Sequence, residues 1–107
     1  IDHLFIFVLF NLIKNSIYSI NAALKGEILI TLQPGRGLNR VVLRDTGEGI
    51  EQKNLDKIFE GFYTTREEGT GVGLAFCRRT MRSFGGGITC NSEPGEYAEF
   101  ILEFPAT

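Results

Sequence analysis

An α+β fold is what this 107-residue sequence predicts: a two-layer sandwich with a mixed, mostly antiparallel sheet and helices on one face. Three observations carry the prediction. A long helical repeat opens the chain, two pairs of strand-like segments with Gly- and Pro-rich turns follow, and a second helical repeat separates those pairs. The length fits one domain, 1–107, with a single core and little to spare for a second. A hydrophobic fraction of 43% and a charged fraction of 22% are those of an ordinary folded domain. A net charge of -2 carries no global signature of nucleic acid or an anionic membrane surface, so partners have to be argued locally. Cys77 and Cys90 have neither the number nor the spacing of a disulfide framework or zinc site, and their apolar neighbours make them reduced core residues of a cytoplasmic protein.

Phe5, Val8, Leu9, Leu12, Ile17, Ile20 and Leu24 recur at helical spacing and predict a helix over 4–24, stopped by Lys25-Gly26. Its first nine residues are apolar enough to raise a membrane helix or signal segment. Asn11, Lys14 and Asn15 interrupt the run before the roughly 20 residues a bilayer needs, and no basic segment precedes it. A buried helix without membrane insertion is expected, and the abrupt apolar start suggests a piece excised from a longer chain. Asn11 and Asn15 are four apart, so their amides share one side of the helix with Lys14 and Tyr18. Asn is a mediocre helix former. Two of them here are either satisfied, partly buried amides or neutral oxygens for a hard cation with polar contacts to phosphates.

Segments 27–33 and 38–44 read as a hairpin around Pro34-Gly35-Arg36-Gly37, and it delivers the turn Asp45-Thr46-Gly47-Glu48-Gly49-Ile50. An ionised Asp only accepts hydrogen bonds, and glycines separated by one residue let backbone approach a ligand; the plainer alternative is an Asp-Gly turn that ends a strand. Polar residues 51–56 lead into Ile58-Phe59-Glu60-Gly61-Phe62, whose aromatics lie among charges as anchors of a loop or parts of a closing lid. Gly69-Thr70-Gly71-Val72-Gly73-Leu74 then opens a helix to 84 with Leu74, Cys77, Met81 and Phe84 inward. Alternating glycines before a helix N-terminus suit an anion, because free N–H groups and the helix dipole point the same way. Leu74 stands where a dinucleotide fingerprint needs its third glycine, and the Gly-Lys-Ser/Thr of a P-loop is absent. Arg78, Arg79 and Arg82 read as a solvated face rather than a nucleic-acid patch. Gly85-Gly86-Gly87 ends the helix, and strands over 88–92 and 97–104 flank Glu93-Pro94-Gly95-Glu96.

Asn11-x-x-x-Asn15, Asp45-x-Gly47-x-Gly49, Phe59-x-x-Phe62 and Gly69-x-Gly71-x-Gly73 stand in one order. Together they resemble the ATP-binding catalytic domain of sensor histidine kinases, in the superfamily shared with gyrase, the heat-shock chaperone ATPase and the mismatch-repair ATPase. The resemblance covers nearly the whole chain and implies a Bergerat-type ATP-binding fold. The run Phe62-Tyr63-Thr64-Thr65-Arg66 is similar to the kinase branch, and 71–86 is similar to segments of hybrid sensor kinases of bacterial quorum sensing. The implied activity is donation of the γ-phosphate of Mg-ATP to a histidine on a separate dimerisation domain of the same parent protein. A response regulator or receiver domain would act downstream, in the cytoplasm. Carried over by position, Asp45 accepts a hydrogen bond from the adenine amino group, and Gly47 and Gly49 give the ring room. Asn15 supplies the oxygen that holds Mg2+, and Asn11 adds a polar contact. Gly69, Thr70, Gly71, Val72, Gly73 and Leu74 lay backbone along the phosphates. The segment 51–68 is the implied lid, bringing Phe59, Phe62 and Thr65 to the nucleotide and Arg66 to the terminal phosphate. Gly61 replaces a frequent Pro, and Tyr18 replaces a frequent Lys, which leaves Lys14 or Arg66 as the cationic substitute.

In the gyrase-like branch, the position four before the magnesium Asn is a Glu that activates water. Here it is Asn11, an amide that cannot act as a base. Transfer to a protein nucleophile is therefore expected, with Asn11 and Arg66 as the catalytic candidates. A hydrolytic ATPase of the same fold and a nucleotide-binding regulatory module without catalysis are the alternatives. His3 begins the first helix without the acidic and proline context of an acceptor. Glu48, between two hinge glycines, is expected to be exposed.

Overall fold

Alternation along a strand gives a sheet two faces, of which one can take helices and the other water. The computed structural model describes residues 3–60 and 73–105. In chain order these form α1 (His3–Ala23), β1 (Ile28–Gln33), β2 (Leu38–Asp45), α2 (Gln52–Leu55), α3 (Gly73–Ser83), β3 (Gly87–Glu93) and β4 (Tyr97–Pro105). The strands lie in the order β1-β2-β4-β3. Every neighbouring pair is antiparallel, so the described sheet contains none of the parallel pairing that a mixed sheet would have.

Val41 and Leu43 of β2 pair with Leu102 and Phe100 of β4, which pair in turn with Ile88 and Cys90 of β3. These side chains meet Val8 and Leu12 of α1 and Cys77 and Met81 of α3 in one apolar cluster, joined by Ile58. Leu12, Leu43, Met81 and Leu102 are fully buried, and truncating one of them to Ala would cost about 2–5 kcal/mol. On the opposite face, Arg40 and Glu103 lie across β2 and β4 at 2.7 Å, and Arg44 and Glu99 at 3.7 Å. Such solvent-facing pairs contribute about 0–1 kcal/mol each.

The helices depart from their predicted faces in informative ways. The buried stripe of α1 is Val8, Leu12, Ser16 and Ser19, whereas Ile17 and Leu24 are exposed. Ile17 was expected in the core; the helix instead turns small polar residues inward, because its second half must approach a backbone turn rather than apolar side chains. Leu24 lies beyond the helix, in the left-handed region at φ 56°. There Lys25 N–H donates to Ile20 O at 3.3 Å and closes the helix as a Schellman cap. The stop is thus made one residue earlier than Lys25-Gly26. By length and composition α1 alone among the described helices could cross a membrane. The buried helix expected there leaves apolar residues outside the core, with Phe7 and Phe10 among its exposed residues. In α3 the inner residues are Ala75, Cys77, Thr80 and Met81, with Leu74 and Phe84 partly buried against the core.

Candidate functional site

The turn after β2 is held from three sides, and each side is a short list of hydrogen bonds. Asp45 closes the inward face of β2 at 2% exposure. Its Oδ1 accepts the Gly47 N–H at 3.1 Å, an Asx turn that fixes the carboxylate against its own loop. From the residue before β1, Glu27 O accepts the Thr46 N–H at 3.0 Å, and Thr46 Oγ1 accepts the Glu27 N–H at 2.9 Å. From α1, Ser19 Oγ accepts the Glu48 N–H at 2.9 Å. From the β3–β4 hairpin, Ser92 Oγ accepts the Ile50 N–H at 2.6 Å, and Gly95 N–H donates to Glu48 O at 2.7 Å. Glu48 is exposed, as expected for its side chain.

The two glycines of this turn serve packing. A Cβ on Gly47 would lie 2.5 Å from Ser19 Oγ and 2.7 Å from the Ser19 carbonyl carbon; one on Gly49, at φ +70°, would lie 2.5 Å from Glu93 O. In the direction a side chain would take, neither glycine leaves room for a ring, because α1 and the hairpin already fill that space. Only Gly lets the turn pass this close to both.

Some distance along α1 a second group of residues comes together. Asn11 is partly buried, and its Nδ2 donates to Phe7 O at 2.9 Å, one turn earlier. That bond fixes the amide plane and leaves Oδ1 beside the first residue of α3, where a Cβ on Gly73 would lie 3.0 Å away. The first N–H groups of an eleven-residue helix have no intrahelical acceptor, and they carry the positive end of its dipole. A fixed amide oxygen beside them makes a polar, acceptor-and-donor corner that can hold an anion and its counter-cation. Asn15 lies partly buried one turn further, on the same side as Asn11.

Other predicted site residues fall differently. Phe59 is partly buried, with its ring 6.3 Å from that of Phe100, nearly edge-on, and the Arg78 guanidinium lies 5.9 Å over it. It anchors the segment after α2 to the core. Arg78 therefore leaves the solvated face predicted for the three arginines, while Arg79 and Arg82 are exposed. Leu74 directs its side chain to the core. Phe62, Thr65, Arg66, Gly69, Thr70, Gly71 and Val72, with residues 61–68 of the expected lid, lie outside the described residues. Tyr18 and Lys14 are exposed, and so is His3.

Ser19 and Ser92 were not anticipated from the sequence. Ser92 offered no signal, since one Ser in a strand is unremarkable until its hydroxyl is seen to meet Ile50 N at 2.6 Å and Tyr97 O at 2.8 Å. Ser16 and Ser19 did offer one: small polar residues three apart in a helix of large apolar ones. Burial disfavours the thiolate at both cysteines. Burial pushes Cys77 up to about 12, and Cys90 is likewise raised to about 12 by burial.

A family model described as histidine kinase-, DNA gyrase B-, and HSP90-like ATPase matches residues 2–107. The chain is 45% identical over 105 residues to the autoinducer 1 sensor kinase/phosphatase LuxN of Vibrio campbellii, covering 97% of this chain and 12% of that protein. It is 40% identical over 105 residues to the CAI-1 autoinducer sensor kinase/phosphatase CqsS of Vibrio cholerae, covering 97% of this chain and 15% of that one. Both names agree with the resemblance to quorum-sensing kinases. The structure of full-length ShkA in complex with AMPPNP superposes with a TM-score of 0.82 at 32% identity, over 94% of this chain and 21% of that one. The chain thus spans only a small part of these relatives.

Proposed function

Because the chain belongs to the histidine kinase-, DNA gyrase B-, and HSP90-like ATPase family, we propose that it binds Mg-ATP and donates the γ-phosphate to a histidine on the dimerisation domain of its parent protein. The observation that carries this reading is Asp45. A carboxylate at 2% exposure is costly unless donors reach it. The Gly47 N–H supplies one, and an ionised carboxylate has about four acceptor sites. The exocyclic amino group of adenine fits that remaining capacity. Gly47 and Gly49 keep the turn packed so that the carboxylate does not swing away.

Asn11 and the start of α3 fit the phosphate end, by the amide oxygen and the first N–H groups of the helix, which have no intrahelical acceptor. Asn15 is the proposed ligand for Mg2+, which when bound would neutralise phosphate charge. Asn11 cannot take a proton from water, because an amide is no base. Phosphoryl transfer asks the site mainly for positioning and charge neutralisation. A site of this kind suits a protein nucleophile better than water. The downstream partner is a response regulator or receiver domain of a two-component system, and the setting is the cytoplasm. Nucleic acid and direct membrane insertion have no part in the reading.

The test is reconstitution with a dimerisation domain carrying its histidine, followed by labelled phosphate. Label on that histidine is expected, together with negligible release of phosphate by the chain alone. ATP binding without transfer would point to a regulatory module, and turnover typical of gyrase-like ATPases would reverse the choice of branch.

A further inference from the structure

β1 is an outer strand of the sheet, and among the described residues no strand pairs with its free edge. Which backbone groups that edge presents follows from the register. Glu27 O accepts the Thr46 N–H and the Glu27 N–H donates to Thr46 Oγ1, so these two residues turn their backbone groups toward each other. The antiparallel pattern then alternates: Leu29, Thr31 and Gln33 bond to β2, and Ile28, Ile30 and Leu32 point their N–H and C=O groups outward. Natural sheets blunt such an edge with Lys, Pro, a bulge or a covering element. Ile28–Gln33 carries no charge and no Pro, and its pairing with β2 runs without a bulge.

The surface beside the edge is apolar too. Ile30 and Leu32 stand opposite Leu43 and Val41, both buried in the core, and so lie on the helix-bearing face. They are nevertheless 51% and 71% exposed. α1 meets α3 where Asn11 lies beside Gly73, and its opposite flank carries Ile6 and Ile17, which are exposed as well. The edge is also complementary to itself. When two copies of β1 run antiparallel about a two-fold axis at Ile30, Ile30 faces Ile30 and Ile28 faces Leu32. These are the three residues whose backbone groups point outward, so each of those groups meets a partner. Helix-bearing face adjoins helix-bearing face, because residues directly opposite share a side. Sliding the pairing two residues one way sets Ile28 against Pro34, which has no N–H, and two the other way sets Leu32 against Gly26, before the strand. Charge agrees with this pairing. Exposed Glu27, before the strand in one copy, falls at the same end as exposed Arg36, after the strand in the other, while Lys25 is turned to Gly95 O at 2.9 Å.

We propose that the free edge of β1 docks a second copy of this chain, β1 against β1 in the antiparallel register centred on Ile30, joining two four-stranded sheets into one with the helices of both copies on the same side. Main-chain hydrogen bonds supply the directionality, and the apolar row of Ile28, Ile30 and Leu32 from each copy supplies the burial. One strand edge covers less than the roughly 1,200–2,000 Å² of a standard interface, so the dimer is of the weak, concentration-dependent kind.

The test is sedimentation velocity of the chain from about 5 to about 500 µM, the range of a weak interface, with amide exchange followed residue by residue at both ends of that range. Passage from monomer to dimer is expected. Exchange at Ile28, Ile30 and Leu32 should slow at least about tenfold at the higher concentration, while Leu29, Thr31 and Gln33, already bonded to β2, stay unchanged. Disulfide trapping reads the register. Ile30→Cys places two thiols opposite each other at the axis, with Cα atoms about 5.5 Å apart, and should give a covalent dimer with a mild oxidant. Leu32→Cys is the more exposed site but lies about 13 Å along the strand from its own copy, and should not couple. Ile30→Lys sets like charges face to face and should keep the chain monomeric throughout, with the Leu29 and Thr31 amides still protected to show that it folds; if it does not fold, the two cysteine variants decide. A chain that stays monomeric overturns the proposal. So does equal trapping of both cysteine variants, which would mean association without this register, or a dimer whose three outward amides exchange as fast as in the monomer, which would mean another surface. Protection of those amides in the monomer would assign the edge to a different segment and would overturn it as well.

Discussion

Asp45 combines two duties that are separable by mutation. It shapes its own turn through the Gly47 N–H at 3.1 Å, and it leaves carboxylate capacity on the helix-covered side. Asp45→Asn keeps the side-chain oxygen for the turn and removes the charge. The proposed function then predicts that ATP binding weakens by about 1.5–3 kcal/mol, the scale of a hydrogen bond to a charged group; equal affinities in calorimetry would remove Asp45 from the site. Cys77 illustrates burial acting alone. Its thiol rises from 9.0 to about 12 because the interior disfavours the thiolate. A folded value above the unfolded one means that this contribution to stability is complete below the unfolded value and is lost as pH climbs toward the folded one. Ultraviolet thiolate absorbance should therefore be absent from the native chain at pH 9 and appear there on unfolding in urea.

At the scale of elements, α1 does the most and is the least regular. Its first half buries Val8 and Leu12 in the core, and its second half brings Ser16 and Ser19 against a loop. Large residues on that stripe would push the Asp45 turn away, so apolar burial is exchanged for close approach. Its end carries a flaw. Leu24 holds the left-handed conformation at φ 56° and is 91% exposed, so it meets the steric cost without gaining burial. Leu24→Gly should stabilise the chain by about 0.5–1 kcal/mol, a balance of relieved strain against the greater freedom of an unfolded glycine. The midpoint of urea unfolding would measure it, and a decrease would mean that Leu24 contributes contacts the exposed side chain does not suggest.

Across the whole molecule, the two faces of the sheet have separate work. The outer face of β2 and β4 carries two Arg–Glu pairs on either side of Val42 and Ile101, with the Arg44 guanidinium 3.9 Å over the Tyr97 ring, and its exposed ion pairs are weak. A shallow hollow there, lined by Gln33, Arg40, Glu99 and Glu103 among others, lies on the opposite side of the sheet from Asp45. The inner face holds the core at one end and the Asp45 turn at the other. That turn is tied to α1, to β1 and to the β3–β4 hairpin, so the carboxylate is positioned by elements from the whole length of the chain. This is why the proposed partition of the reaction belongs to this scale: the domain holds and aims the nucleotide, and the nucleophile comes from outside.

The sequence by itself determined the two long helices and the four strands in their order, with the two hairpins, because helical spacing, strand-like runs and turn residues are local properties; the short α2 and the central pairing of β2 with β4 came from the structure. It also marked Asn11, Asn15 and Asp45, since polar residues in an apolar helix or at a glycine-rich strand end are unusual where they stand. The tertiary structure decided the rest. It showed that a Cβ on Gly47 would meet α1 and one on Gly49 the hairpin, a matter of which backbones meet and not of any local pattern. It made Phe59 an anchor on Phe100 and drew Arg78 over it. It moved the buried stripe of α1 from Ile17 to Ser16 and Ser19, because helical periodicity gives the spacing of a face and only the packing partner fixes which face is used.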